Sequence, residues 1–327
     1  IVTAMSAEAS DMSGWLLMGL PGVAYLTGVA DAAWTAIGLA IGTYLNWLIV
    51  AKRLRRYTVV AGNSITIPEF FSNRYRDKSR ILVAVSAIFI VIFFIPYTAS
   101  GFAACGKLFS TLFGVSYVPA MIVSAIVIVA YTALGGFSAA STTDLIQSIV
   151  MSFALICVVL FGVKTAGGTD VILSQAGELP GYLSMTQTYM NGEATEYGAI
   201  KIASMLAWGL GYFGMPHILL RFMAIEDEKK IKISRRIATV WVVISMSVAI
   251  FIGIVGNNLS RNGALQVLEG SDSEKLIITL GTLMSKSGFL GILVAGLIMS
   301  GILACTMSTA DSQLLAASSS ISEDLLK

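Results

Sequence analysis

Eight apolar runs, each close to the length that crosses a bilayer, limit what this chain can fold into more than any other feature. Spanning the hydrocarbon core takes about 20 mostly apolar residues in a helix. Such runs fall near 1–29, 32–51, 81–112, 117–136, 143–165, 197–220, 237–257 and 287–318. Backbone polar groups in hydrocarbon must be satisfied within the segment, so runs of this length read as helices. The predicted class is an all-α polytopic membrane protein whose main solvent is the lipid bilayer. Charged residues make up 12% of the chain, about half the share found in soluble domains. Its net charge of +2 is not gathered into a stripe, so no nucleic-acid partner is expected. Cys105, Cys157 and Cys305 each lie inside an apolar run and there is one histidine, His217. That pattern excludes a disulfide framework, a thiolate cluster and a multi-histidine metal site. Ile1 opens directly in an apolar stretch, without Met or a basic lead-in, and we expect the chain to be a fragment of a longer protein.

Sidedness follows from the Lys and Arg residues, which concentrate in short cytoplasmic loops. Residues 52–80 and 221–236 hold 14 of the chain's 21 basic residues, whereas 166–196 holds Asp170, Glu178, Glu193 and Glu196 with no Lys or Arg. The first two segments are therefore expected in the cytoplasm of a plasma-membrane protein and the third outside. Counting spans from either basic loop gives one consistent alternation. Residues 69–80 read as a short interfacial helix or a solvated connector, and 264–285 as an external loop with a helical piece.

Ionisable groups inside a membrane are costly, and each is a functional candidate. Glu8, Asp11, Asp144 and Asp311 all fall within predicted spans. Span one crowds Ser6, Glu8, Ser10, Asp11 and Ser13 before Gly14. Unwinding there would expose carbonyls and hydroxyls to a bound ion; the alternative is a polar stripe packed on neighbouring helices. Span six carries a second weak point, Trp208-Gly209-Leu210-Gly211-Tyr212-Phe213-Gly214-Met215-Pro216. Its glycines read either as a break or as packing notches. Two interrupted spans standing five apart is the pattern of inverted five-helix repeats, whose broken helices form a site at mid-membrane. In span eight, Ser308, Thr309, Asp311 and Ser312 offer hard oxygen donors of the kind that suit a sodium ion.

The stretch Ser10-Asp11-Met12-Ser13-Gly14-Trp15-Leu16-Leu17-Met18-Gly19-Leu20-Pro21-Gly22 resembles a signature of the sodium/solute symporter family, in its proline-carrying branch. Asp77-Lys78-Ser79-Arg80-Ile81-Leu82, Trp208 to Gly214 with Pro216-His217, Arg221-Phe222-Met223-Ala224 and Met307-Ser308-Thr309 extend the likeness along the chain. The resemblance implies a single transport domain over 1–327 with a five-plus-five inverted-repeat core. Residues 1–165 would be the first repeat, 197–327 the first three helices of the second, and 166–196 an external loop. Further helices would flank the chain on both sides, and helices one and six would be discontinuous. It also implies a sodium site made by the carbonyls of Ala9, Met12 and Cys305 and the hydroxyls of Ser308 and Thr309, with Asp11 beside it. Asp144 matches a carboxylate of a second sodium site, but Asp311 stands where a hydroxyl is implied. No role is assigned to Glu8. L-Proline would be enclosed by Ser13, Gly14, Tyr97, Trp208, Tyr212 and Pro216. The expected activity is sodium-coupled symport of L-proline, a secondary transporter and not an enzyme. Symport of another small amino acid or carboxylate, coupled to sodium or protons, stays open, as do an intramembrane enzyme and a channel as remote readings.

Overall fold

The computed structural model describes residues 1–326 and is almost wholly helical. Its first element, α1 (Val2–Gly14), gives way through a π-helical turn, Trp15–Gly19, to α2 (Leu20–Thr27). It is followed by α3 (Val29–Leu45), α4 (Lys52–Val60), α5 (Ile67–Tyr75), α6 (Ile81–Phe113), α7 (Tyr117–Ala166) and α8 (Thr169–Gly177). A two-stranded antiparallel hairpin comes next, β1 (Gln187–Met190) and β2 (Glu193–Glu196). The chain closes with α9 (Ala199–Leu206), α10 (Pro216–Met223), α11 (Ile231–Arg261), α12 (Leu276–Ser285) and α13 (Phe289–Ser319).

Among the described residues, five helices are long and apolar enough to cross a membrane, and the pair α9 and α10, bent by 48°, adds a sixth. The 50 residues of α7 would reach about 75 Å if straight, more than twice the hydrocarbon thickness. They are divided at Gly136 (φ 60°, ψ −160°), which separates the two apolar runs expected at 117–136 and 143–165. With α7 as two segments and the interrupted first helix as one, each of the eight expected apolar runs falls on helix. Residues Ile88, Phe89, Ile92 and Phe93 of α6 and Ile122, Val123, Ile126 and Val127 of α7 are exposed, an apolar outer surface suited to hydrocarbon.

Several expectations need correction. The basic residues from Lys52 to Arg56 lie on a helical continuation of span two and not in a loop. Arg221, counted with a cytoplasmic loop, is 2% exposed and belongs to α10. For residues 69–80 the helical reading holds over their first part, which lies in α5, capped by Thr66 accepting from the Glu69 amide at 3.1 Å. Residues 166–196 form α8 and the hairpin rather than a plain loop. They are fixed by Tyr182, whose hydroxyl donates to the Ala24 carbonyl at 2.7 Å and whose carbonyl accepts from the Val29 amide at 2.8 Å.

Candidate functional site

Helix one breaks where its sequence turns polar. Ser13 adopts φ 44° and ψ −178°, a conformation that L-residues rarely take, and the freed backbone is met by α13. The Ser13 amide donates to Thr309 Oγ1 at 3.0 Å, and Cys305 Sγ sits against the Ser13 carbonyl. One turn earlier, Ser308 Oγ donates to the Ala9 carbonyl at 2.8 Å and lies 3.2 Å from the Cys305 carbonyl, which Thr309 Oγ1 also approaches at 3.3 Å. The structure thus joins Ala9, Cys305, Ser308 and Thr309 in one buried cluster of oxygens. Met12 is next to it in the chain, and its carbonyl accepts from the Trp15 amide. This donor set consists of carbonyls and hydroxyls, the chemistry that suits a hard cation.

Asp11 is 3.9 Å from His217 Nε2 and faces Tyr212. Asp144 lies in a buried polar network. Its Oδ2 accepts from Arg221 Nη2 at 2.6 Å and from Ser6 Oγ at 2.7 Å. The same guanidinium reaches Ser6 Oγ and Ser312 Oγ, both at 2.6 Å, and the His217 carbonyl at 2.7 Å. Ser312 Oγ donates to Asp311 Oδ1 at 3.0 Å, and the Tyr131 hydroxyl donates to Asp311 Oδ2 at 2.8 Å. Asp144 thus anchors a buried ionic network that ties α1, α7, α10 and α13 together and reaches, through Arg221, Ser312 one turn after Ser308. Glu8 accepts from Trp47 Nε1 at 3.1 Å, so it links helix one to the helical stretch after α3.

Two cavities meet at the helix-one break. The larger, about 420 Å³, is lined by Ser13, Gly14, Trp15, Tyr97, Thr309 and Gln313 and reaches the ion pair between Lys107 Nζ and Glu274 Oε2 at 2.6 Å. A smaller one, about 110 Å³, is lined by Asp11, Met12, Ser13, Tyr97, Trp208 and Tyr212. Trp15 and Trp208 face each other with ring centroids 5.5 Å apart, an aromatic wall suited to a small apolar ring. Five of the six residues expected around a solute, Ser13, Gly14, Tyr97, Trp208 and Tyr212, line these cavities. Pro216 lines neither; it is buried as the first residue of α10, following Met215 in an extended conformation. That placement uses the ring to start a helix.

Sequence reasoning counts Arg221 in a basic loop and assigns no site role to it, to Tyr131 or to Gln313. A spacing signal existed for Arg221, which lies one helical turn after His217. For Gln313, one turn after Thr309, the same periodicity would have served.

A family model described as "Sodium:solute symporter family" matches residues 1–327. Curated relatives include the sodium/proline symporters of Salmonella typhimurium (41% identical), Haemophilus influenzae (43%) and Staphylococcus aureus (39%). Each alignment covers all of this chain and, respectively, 62%, 63% and 60% of the relative. The chain thus spans about three fifths of their length. Among solved structures, a Na+-coupled sialic acid symporter in a substrate-bound outward-open state matches with a TM-score of 0.78 at 16% identity, over 99% of this chain and 66% of that one. A nucleobase-cation-symport-1 family transporter, closed around bromovinylhydantoin, matches with a TM-score of 0.56 at 16% identity, over 98% and 65%. These likenesses give the fold, an inverted-repeat symporter core.

Proposed function

The chain belongs to the sodium:solute symporter family, and from that premise we propose that it couples sodium entry to uptake of L-proline by alternating access. The observation that carries this reading is the contact of the Ser308 hydroxyl with the Ala9 carbonyl beside the break at Ser13. In this reading sodium is held by the carbonyls of Ala9, Met12 and Cys305 and by the oxygens of Ser308 and Thr309. The two hydroxyls rotate so that their lone pairs, and not their protons, face the ion. Asp11 supplies negative charge nearby, and the solute lies against Ser13, Gly14, Tyr97, Trp208 and Tyr212.

Coupling follows from adjacency. The carbonyls of Ala9 and Met12 precede the break, and Ser13 and Gly14, which line the solute cavity, form it. A cation that orders one side orders the other, so each ligand raises the affinity for its partner by the same factor. In this account Asp144 supports the site through Arg221 and Ser312 and does not ligate a second ion. Residues 1–165 act as the first repeat and 197–327 as three helices of the second. The segment 166–196 caps the external side, with 52–80 and the residues after Ala224 in the cytoplasm.

In the full-length protein, Asp11→Asn, or Ser308→Ala with Thr309→Ala, is expected to abolish sodium-stimulated L-proline uptake. Uptake at the unmodified rate in both variants would overturn the assignment.

A further inference from the structure

The larger cavity is lined by a buried amide, Gln313, whose bonding capacity is unused. Ser100 and Thr306 donate to the carbonyls of Tyr97 and Ile302, and Thr309 is engaged with Cys305 and Ser13. Gln313 is 1% exposed, yet neither Oε1 nor Nε2 makes a hydrogen bond. Its amide lies beside the Tyr97 hydroxyl, on the wall that also holds Ser13 and Thr309. A buried amide left without partners is unfavourable, and one that lines a cavity is placed to bond to what the cavity holds.

The charges around this cavity narrow what that is. Of the residues lining it, only Lys107 and Glu274 are charged, and they neutralise each other at 2.6 Å. A solute with net negative charge would lack a free cation there, and one with net positive charge a free anion. A primary amide offers two donors and two acceptor lone pairs, which matches a neutral molecule bearing both a carboxylate and a protonated amine.

We propose that Gln313 is a substrate-recognition residue whose Nε2 donates to the carboxylate, and whose Oε1 accepts from the protonated amine, of a neutral zwitterionic amino or imino acid. This rests on the transport reading above and restricts its cargo: anions without an amine are excluded. Gln313 follows Thr309 by one turn of α13, so the helix that contributes oxygens to the cation cluster also reads the solute.

The test is equilibrium binding of radiolabelled L-proline to the purified full-length protein at saturating sodium. Unlabelled L-proline, L-prolinamide, which lacks the carboxylate, and tetrahydrofuran-2-carboxylate, which lacks the amine, serve as competitors. The wild-type protein is expected to bind either analogue roughly tenfold or more weakly than L-proline, because each leaves one amide atom unpaired. Gln313→Met should weaken L-proline roughly tenfold or more and compress the ranking of the three compounds. Gln313→Glu should weaken L-proline while sparing L-prolinamide, and Gln313→Asn should fall between wild type and Met. In all three variants the sodium concentration giving half-maximal thermal stabilisation without solute should stay at the wild-type value, which separates recognition from a folding defect. Wild-type affinity and ranking in Gln313→Met would overturn the inference and leave the transport reading standing. Wild-type binding of tetrahydrofuran-2-carboxylate equal to that of L-proline would also overturn it. If the wild-type protein shows no sodium-dependent L-proline binding, the proline reading itself fails.

Discussion

Arg221 donates to Ser6, Asp144, Ser312 and the His217 carbonyl, so one guanidinium fixes four elements of the core. Removing one member of a buried ion pair leaves the other uncompensated, at a cost of about 3–5 kcal/mol, whereas replacing both is far milder. Arg221→Met and Asp144→Asn are therefore each expected to lower the unfolding temperature in detergent sharply. The double variant should recover much of the loss. Additive losses would show that the two residues are not coupled. Asp11, Ser308 and Thr309 stand out in the sequence because a charge or a hydroxyl pair is conspicuous in an apolar run. Arg221 was not, since it lies at the edge of a basic loop that sidedness explains equally well. The partner of Asp144 depends on contacts 77 residues apart in the chain, which no local pattern reports.

The elements are legible to the extent that length and periodicity define them. All eight apolar runs became helical segments, and both breaks fell where small and polar residues cluster, at Ser13 and at Met215 before Pro216. The two readings of the span-six glycines divide by position. Gly209 is a packing notch: a Cβ there would strike the Gly38 carbonyl and come within 3.1 Å of Gly42 Cα. Gly38 and Gly42, one turn apart on α3, form the small-residue seam that allows close helix approach. Gly211 has nothing within 4 Å of an added Cβ and lines the smaller cavity. Gly209→Ala is expected to lower thermal stability, and Gly211→Ala to leave it near wild type; equal effects would contradict this division. At the start of α6, Asp77 accepts from the Leu82 amide at 2.8 Å and from Ser79. The Ser79 hydroxyl, followed by the Leu82 amide, holds the Asp77 carboxyl below the usual aspartate range. The cap is thus fully effective above the ordinary aspartate pKa and is lost as pH falls through the lowered value. Asp77→Ala should raise amide exchange in the first turn of α6 at neutral pH, and unchanged exchange would contradict the cap.

At the scale of the whole molecule, the break in helix one, α13 and the bent pair α9 and α10 converge on one region, where the oxygen cluster and both cavities meet. Sidedness is open to direct measurement. Single cysteines placed at 60–65 or 226–230 in a cysteine-free background should react with impermeant maleimide only from the cytoplasmic face, and those at 191–193 only from outside. The reverse pattern would invert the topology. The central claim is that cation and solute move together. Its most direct test is uptake of radiolabelled L-proline into proteoliposomes holding the full-length protein, with and without an inward sodium gradient. L-Proline should accumulate above the external concentration only with the gradient, together with proline-dependent sodium influx. Accumulation that ignores the sodium gradient, or sodium flux that ignores proline, would contradict the claim.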